Sequence, residues 1–204
     1  MSGEKRQFAP SAARNRDPIW AVLQPELPSR GLVLEVASGS GEHTAHFARL
    51  SGSPIIFQPS DPDAQARASI DAWAATSERS NMLPALALDA AVDAWPIARA
   101  DVVVCINMIH ISPWASAVGL VRGSARVLPP GGLLFLYGPF RRDGRHTAPS
   151  NAAFDADLRR RNPAWGVRDL EADAGHATAA GFTPPVVAEM PANNLCVHFR
   201  RAAA

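Results

Sequence analysis

The chain has 204 residues, 47% of them hydrophobic, and its 20 lysines and arginines against 19 aspartates and glutamates leave a formal net charge of +1. This length suits one α/β domain with a full core and is too short for a two-domain dehydrogenase. The balanced charge and the lack of any run of roughly 20 apolar residues argue against nucleic acid or a membrane as a partner, so we expect a soluble, cytoplasmic protein.

The first two thirds of the chain alternate between apolar, strand-like runs and amphipathic helical segments. A leading helical segment lies within residues 9–28 and is ended by Pro25 or Pro28. Helices between successive strands favour right-handed crossovers and a doubly wound, parallel sheet. In chain order, the predicted strands are 32–36, 54–58, 83–88, 101–107 and 133–137, and the predicted helices are 9–27, 42–50, 64–76 and 112–128.

The alternation ends after Gly138. Residues 139–163 are polar and rich in arginine, a helix is predicted at about 151–161, and another at 167–180. A long polar insertion at the carboxyl edge of a sheet favours a cover over a cleft, so we expect a lid-like segment at about 139–170. The last two predicted strands, 185–189 and 195–200, are joined by a short polar turn and therefore form an antiparallel hairpin.

Together these elements predict an α/β fold in a single domain over residues 1–204. Its sheet is Rossmann-like, doubly wound and seven-stranded, and it is mostly parallel with one antiparallel strand in the C-terminal hairpin. Helices are expected on both faces of this sheet. The oligomeric state, monomer or homodimer, stays open.

The most informative segment is the run from Val33 to His43, in which an apolar strand ends in a turn of small residues and a helix follows at once. Small residues let a ligand approach the backbone, and the helix N-terminus presents unpaired N–H groups. This arrangement is typical of nucleotide-like cofactor sites. Dinucleotide-binding folds use a similar turn, so the turn alone leaves the cofactor open.

Acidic residues accompany the first three predicted strands. Glu35 lies in the first strand, Asp61 comes 20 residues after Gly41 at the end of the second, and Asp89 follows the third. Because ligands bind across the carboxyl ends of strands in an open α/β sheet, these acids are expected to converge on one crevice. Asp61 is placed to accept hydrogen bonds from ribose hydroxyls, and Asp89 is placed to accept one from an adenine amine. The alternative for each is an N-cap or turn carboxylate.

The turn, the ordered acids and the closing hairpin resemble the class I S-adenosylmethionine-dependent methyltransferases, although Ala37 stands where the first glycine of the turn is usual. More closely, the chain is similar to the DUF938 or methyltransferase-like protein 26 family. The runs that carry this resemblance are Arg14–Ile19, Glu35–His43, Gln58–Asp61, Ile106–Trp114, Tyr137–Phe140, Asn162–Asp169 and Met190–Leu195.

The resemblance implies S-adenosyl-L-methionine as cofactor and S-adenosyl-L-homocysteine as product. It also implies that the N-terminal segment folds over the cofactor, where Arg14 and Asn15 bind either the methionyl carboxylate or the methyl acceptor. The expected cofactor-binding residues are Arg14, Glu35, Ala37, Ser38, Gly39, Gly41, His43, Asp61, Pro62, Asp89, Ala90, Asn107 and Met108.

The other half of the cleft is expected to bind the methyl acceptor. His110 follows the fourth predicted strand and is the candidate catalytic base or acceptor-orienting group, with a structural histidine as the alternative. Arg168 is expected to hold an acceptor carboxylate or phosphate, or else to pair with Asp155, Asp169 or Glu171. The expected substrate-binding residues are Asn15, His110, Tyr137, Phe140, Asn151, Phe154, Asp155, Trp165, Arg168, Asn193 and Asn194.

No metal site is expected. His43 and His46 are spaced i, i+3 on a helix but lack an obvious third ligand, and Cys105 and Cys196 match neither a metal nor a redox spacing. The arginines at 159–161 spread around a helix and are expected to be a solvated helix end.

Three functions compete. The first is methyl transfer to a nitrogen, oxygen or sulfur atom of a small polar metabolite, with no nucleic-acid or membrane partner. The second is a non-catalytic S-adenosylmethionine-binding regulatory or scaffold protein. The third is an NAD-dependent oxidoreductase, against which the closing hairpin argues.

Overall fold

The structure is a computed structural model that describes residues 6–51, 54–77 and 81–203. Residues 1–5, 52–53, 78–80 and 204 of the predicted domain lie outside the described residues. The strands are β1 Gly31–Val36, β2 Ile55–Ser60, β3 Val102–Ile106, β4 Leu133–Gly138, β5 Phe140–Arg142, β6 Arg145–His146, β7 Arg168–Asp169, β8 Val186–Met190 and β9 Asn194–Arg200. The α-helices are α1 Pro10–Leu23, α2 Glu42–Leu50, α3 Ala64–Ala75, α4 Trp114–Val127, α5 Pro149–Arg161 and α6 Leu170–Ala179.

Six of the strands form one mixed sheet in the order β2-β1-β3-β4-β9-β8. The first four run parallel, whereas β9 is antiparallel to both β4 and β8. Val36 is paired with both Ser60 and Cys105, and Ile106 is paired with Tyr137. The carboxyl ends of the four parallel strands therefore meet at one edge of the sheet.

Two hydrophobic clusters fill the two faces of this sheet, because successive strand residues point to opposite sides. Val33 lies in the cluster that contains Ile19, Phe47 and Ile70, from α1, α2 and α3. Its neighbour Leu34 lies in the other cluster, which residues of α4 and α6 complete. Helices thus cover both faces. No helix in the described part of the chain is long and apolar enough to span a membrane.

The predicted third strand at 83–88 is wrong, and the main sheet has six strands rather than seven within the described residues. Residues 82–86 follow β2 but touch it only through isolated bridges, at Phe57 and Ser60. The N–H of Leu83 donates to Phe57 (2.8 Å), and the N–H of Leu86 donates to Pro59 (3.0 Å). Pro59 has no N–H to donate between these points, and the N–H of Ala85 donates to the Asp71 carboxylate instead (2.8 Å), so the ladder is interrupted.

The segment after β4 forms a layer of its own. Here β5 pairs with β6 and β7 in a small sheet of order β6-β5-β7, and α5 lies between β6 and β7 in the chain. The helix predicted at 151–161 begins earlier, at Pro149, whereas the first residues of the helix predicted at 167–180 are extended and α6 begins at Leu170.

Two glycine substitutions test this packing. A Cβ at Gly119 in α4 would lie 2.1 Å from the carbonyl oxygen of Ala90, whereas a Cβ at Gly175 in α6 would meet nothing within 4 Å. We expect Gly119→Ala to lower the free energy of unfolding by about 1 to 3 kcal/mol, because backbone must move. The matched control Gly175→Ala is expected to raise it by roughly 0.5–1 kcal/mol. Urea unfolding measures both, and equal stability of the two variants would contradict the packing.

Candidate functional site

The turn that follows β1, residues 37–41, has a backbone that a ligand could approach closely. Ala37, Gly39 and Gly41 all have positive φ, at 58°, 56° and 88°. Gly41 is also the N-cap of α2, and a Cβ there would lie 2.9 Å from the Cα of Ile70. By contrast, a Cβ at Gly39 would meet nothing within 4 Å. This turn, hereafter the glycine turn, is therefore packed on α3 at Gly41 and open at Gly39.

Asp61 lies beside the glycine turn. One carboxylate oxygen accepts a hydrogen bond from the N–H of Gly39 (3.0 Å), and the other accepts one from the N–H of Asp63 (2.9 Å). Burial raises the pKa of Asp61 above its ordinary value, and these two N–H donors oppose the shift. Each oxygen keeps capacity to accept a further hydrogen bond. Pro62 follows on the surface, and its carbonyl accepts a hydrogen bond from the Arg67 guanidinium.

Glu35 is buried inside the sheet. The Thr44 hydroxyl donates a hydrogen bond to its carboxyl group, and Ser38 lies close behind, with its own hydroxyl donating to the Glu35 carbonyl. Burial raises the pKa of Glu35 to about 8, and the Asp61 carboxylate adds to the shift. Glu35 is therefore largely protonated at neutral pH.

Asp89 lies in a local turn. It is exposed, and its carboxylate accepts a hydrogen bond from the N–H of Ala91 (2.9 Å). This is the geometry of a turn carboxylate, the alternative role that the sequence left open for Asp89. Ala90 is buried against α4, where its carbonyl faces Gly119.

A large cavity of about 1000 Å³ opens at the same edge of the sheet. It lies beyond β3 and β4, between α1, α5 and the turn that joins β8 to β9. Its lining combines amide, hydroxyl and guanidinium groups with apolar rings. The lining residues are Ser11, Arg14, Asn15, Pro18, Asn107, Ile111, Tyr137, Pro139, Ser150, Asn151, Phe154, Arg161, Pro191, Ala192, Asn193 and Asn194.

The structure thus brings together eight of the residues predicted for the site. From the expected cofactor group these are Arg14 and Asn107, and from the expected substrate group they are Asn15, Tyr137, Asn151, Phe154, Asn193 and Asn194. Ser11 and Pro18 were missed, although with Arg14 and Asn15 they have the i, i+3, i+4, i+7 spacing of one helix face. That spacing is a signal the sequence contains.

A hydrogen-bonded chain connects α2 to the cavity. His43 Nε2 lies 2.8 Å from Asn15 Oδ1, and the Asn15 amide is close enough to the Tyr137 hydroxyl to lower its pKa. Burial lowers the pKa of His43 to about 4, helped by the neighbouring His46 and Arg16. Burial also raises the pKa of Tyr137. His43 is therefore neutral and Tyr137 keeps its proton at neutral pH.

His110 is not at the cleft edge, where we expected it. Its side chain is fully buried, 5.1 Å from the ring of Phe140 and in contact with β4 at Gly138, where a Cβ would lie 2.4 Å from Nε2. The short 3-10 turn Met108–His110 directs it inward, and Met108 is buried with it. Burial lowers the pKa of His110 to about 3, and the charge of Arg168 adds to this. Both the position and the weak basicity disfavour its predicted role as a base.

Four further predicted substrate residues, Phe140, Asp155, Trp165 and Arg168, do not line the cavity. Phe140 is fully buried. The Arg168 guanidinium donates to the carbonyls of Ile109 (2.8 Å) and Ala164 (3.0 Å).

Asp155 accepts from the N–H of Val167 (2.7 Å) and from Arg159 (3.0 Å). Trp165 packs under Arg161, whose guanidinium carbon lies 5.3 Å from the ring centroid. The polar groups of Asp155 and Arg168 are therefore engaged in hydrogen bonds that stabilise the segment after β4.

Within residues 6–51, 54–77 and 81–203, no group of three or more histidine, cysteine, aspartate or glutamate side chains is placed to hold a metal ion. His46 faces Asp17 instead, at 2.7 Å, and both cysteines are buried and free.

A family model described as "protein of unknown function (DUF938)" matches residues 6–201. Among solved structures, the chain is similar to an O-methyltransferase family protein from Burkholderia thailandensis, with a TM-score of 0.80 and 18% identity over 95% of this chain and 58% of that one. It is also similar to human N-acetylserotonin methyltransferase in complex with SAM (TM-score 0.72, 15% identity, 100% and 57% covered).

A third similar structure is that of CalO1, a methyltransferase in calicheamicin biosynthesis, in its SAH-bound form (TM-score 0.75, 20% identity, 94% and 54% covered). The chain therefore has the fold of these methyltransferases, and it spans a little more than half of their length.

The buried Glu35 predicts that stability falls as the pH rises through neutrality toward 8. The pKa of Glu35 rises from 4.5 to about 8 and that of Asp173 from 3.8 to about 7, so the folded chain holds protons that the unfolded chain has released. Stability therefore falls as pH rises through this window. His43 and His110 have lowered pKa values and act in the opposite sense, but only below pH 6.5.

Between pH 6.5 and 8 the fall is expected to be about 2 kcal/mol for Glu35, at about 1.4 kcal/mol per pH unit. Glu35→Gln should remove it, whereas the control Asp173→Asn should remove a smaller part. Urea unfolding across this range measures the slopes. An unchanged slope in Glu35→Gln would show that Glu35 is already ionised in the folded protein.

Proposed function

The chain belongs to the DUF938 family, and we propose that it is an S-adenosylmethionine-dependent methyltransferase that acts on a small polar metabolite. The observation that carries the proposal is the large cavity at the sheet edge that also holds the glycine turn. Asn107, which follows β3 next to β1, lines this cavity. Cavities of this size and mixed lining are typical of small-molecule sites at the carboxyl ends of parallel strands.

The glycine turn fits S-adenosylmethionine. The open space at Gly39 admits a ligand against the backbone, and Asp61, buried beside it, keeps lone pairs that would accept the ribose hydroxyls. Arg14 lies on the cavity side and would hold the methionyl carboxylate, with Asn107 and His43 near it on adjoining elements. Asp89 and Ala90 would border the adenine, and Glu35, Ala37, Ser38, Gly41, Pro62 and Met108 would shape the backbone around the cofactor.

The bound cofactor would supply an electrophilic methyl group on a sulfonium. The chain's own part is to hold a nucleophilic atom in line with that group and to exclude water, which can provide much of the rate. Asn107 and Tyr137, at the ends of β3 and β4, are placed to orient the acceptor. Since His110 is fully buried and does not line the cavity, we assign no proton transfer to it.

The segment at about 139–170 would cover the acceptor. Asn151 in α5 donates a hydrogen bond to the carbonyl of Asn193 (2.8 Å), and Asn193 donates to the Ser150 hydroxyl (3.1 Å). These bonds join α5 to the turn between β8 and β9 across the cavity wall. Such a bridge supports a cover that reduces access of water to the acceptor.

Ligand binding tests the cofactor. S-adenosylhomocysteine at about 100 times its Kd is expected to stabilise the protein by about 2.7 kcal/mol, whereas NAD should not. Asp61→Ala should weaken S-adenosylhomocysteine binding at least tenfold, a loss of about 1.4 kcal/mol or more. The matched control is Asp63→Asn, which keeps the N-cap of α3 and should bind normally. Thermal-shift titration measures all of these, and stabilisation by NAD alone would overturn the proposal.

Methyl transfer is tested with labelled S-adenosylmethionine and a metabolite extract. Tyr137→Phe removes one hydroxyl from the cavity and is expected to slow label incorporation about tenfold with cofactor binding retained. Trp95→Phe, an aromatic change against α4 and outside the cavity, serves as control. Cofactor binding without any labelled product would favour the non-catalytic alternative.

A further inference from the structure

The charged side chains that line the large cavity all have one sign. They are Arg14 on α1 and Arg161 on α5, and no aspartate or glutamate is among the described lining residues. This is unlike the chain as a whole, in which basic and acidic residues are nearly equal in number, at 20 and 19. Because these two cations have no acidic counterpart in the lining, the cavity favours anionic ligands.

Arg161 is available for a ligand. Its contact with Asp157 is 3.8 Å long and lies on the exposed surface, so it holds the guanidinium only weakly. The ring of Trp165 lies beneath the guanidinium and leaves its N–H groups free to form a forked contact. Its neighbours are engaged elsewhere, because Arg159 binds Asp155 and Arg160 binds Asp157.

Tyr137 adds a hydrogen-bond donor whose direction is set by the chain behind it. Neutral His43 donates its Nε2–H to Asn15 Oδ1, which leaves the amide NH₂ of Asn15 to donate to the neighbouring Tyr137 oxygen. With that oxygen accepting, the phenolic O–H remains free to donate into the cavity.

Two asparagines present acceptors instead. The NH₂ group of Asn151 is used by Thr147 and by the carbonyl of Asn193. The NH₂ group of Asn194 is used by the carbonyls of Pro191 and Ala192. Both side-chain carbonyl oxygens are therefore left to accept a hydrogen bond from a ligand.

From this arrangement we propose that the acceptor substrate is a small organic anion that also carries a hydroxyl or amino group. Its carboxylate or phosphate binds Arg161, and its hydroxyl or amino group binds the amide oxygens of Asn151 and Asn194. Arg14 serves the cofactor carboxylate, so Arg161 distinguishes the acceptor. This inference rests on the proposed methyltransferase function.

The test is binding to protein saturated with S-adenosylhomocysteine. The probes are a panel of hydroxy acids, amino acids and phosphate monoesters, the uncharged amides of the same acids, and primary amines. We expect anions to raise the melting temperature and their amides not to. Arg161→Gln should weaken binding of the best anion about tenfold, the usual effect of losing one charge-assisted hydrogen bond. The matched control Arg160→Gln, one residue away and outside the cavity, should bind as the unaltered protein does.

The outcomes separate the two proposals. If S-adenosylhomocysteine fails to stabilise the protein, the proposed function fails before any acceptor is tested. If it binds, and the panel yields only amines or neutral compounds, or no anion at all, the anionic acceptor is overturned. The same holds if anions bind equally well to the Arg161→Gln variant.

Discussion

The hydrogen-bond registers of β2, β1, β3 and β4 determine where every loop of the site lies. Because these strands run parallel and their last residues are paired with one another, the glycine turn, Asp61, Asn107 and Gly138 all emerge at one edge. Each register is set by apolar side chains that alternate between two separate cores. A shift by one residue would move each core side chain to the wrong face, so the position of the site is tied to the packing of the whole domain.

The polar residues near this edge divide into two groups with different work. His110 and Asp155 accept from the backbone of the segment after β4, through the N–H of Arg168 to His110 Nδ1 (3.4 Å) and the N–H of Val167 to Asp155 (2.7 Å), and the Arg168 guanidinium donates back to the carbonyl of Ile109. Buried polar groups need such partners, and their bonds hold β7 and α5 against the sheet. The second group, from α1, α5 and the turn between β8 and β9, faces the cavity. One set of polar groups thus stabilises the insertion, and the other set lines the cavity.

Much of the architecture was predictable from local pattern. The strand, turn and helix around residues 32–50 lie where predicted, and Glu42–Leu50 matches to the residue, since an apolar strand, small turn residues and a helical apolar period all agree there. The predicted third strand does not form because Pro59 lacks an N–H and the N–H of Ala85 binds Asp71, contacts between segments that neither segment reveals by itself. Asn15, Tyr137 and Asn193 were predicted for the site and line the cavity, whereas the predicted Arg168 does not line it and Arg161 does. Both are arginines of the same insertion, and only packing shows which one already has carbonyl partners.

The sequence by itself determined the α/β class, the place of the glycine turn, and Glu35 and Asp61 at the first two strands, because these depend on residues close together in the chain. Tertiary structure decided which polar side chains remain free. His110 is buried because a 3-10 turn directs it inward, where it contacts Gly138. The charge of Arg161 remains available because its ion pair with Asp157 is long and exposed. Whether a polar group is satisfied by the protein or left for a ligand depends on contacts between distant segments, and such contacts form only when the chain has folded.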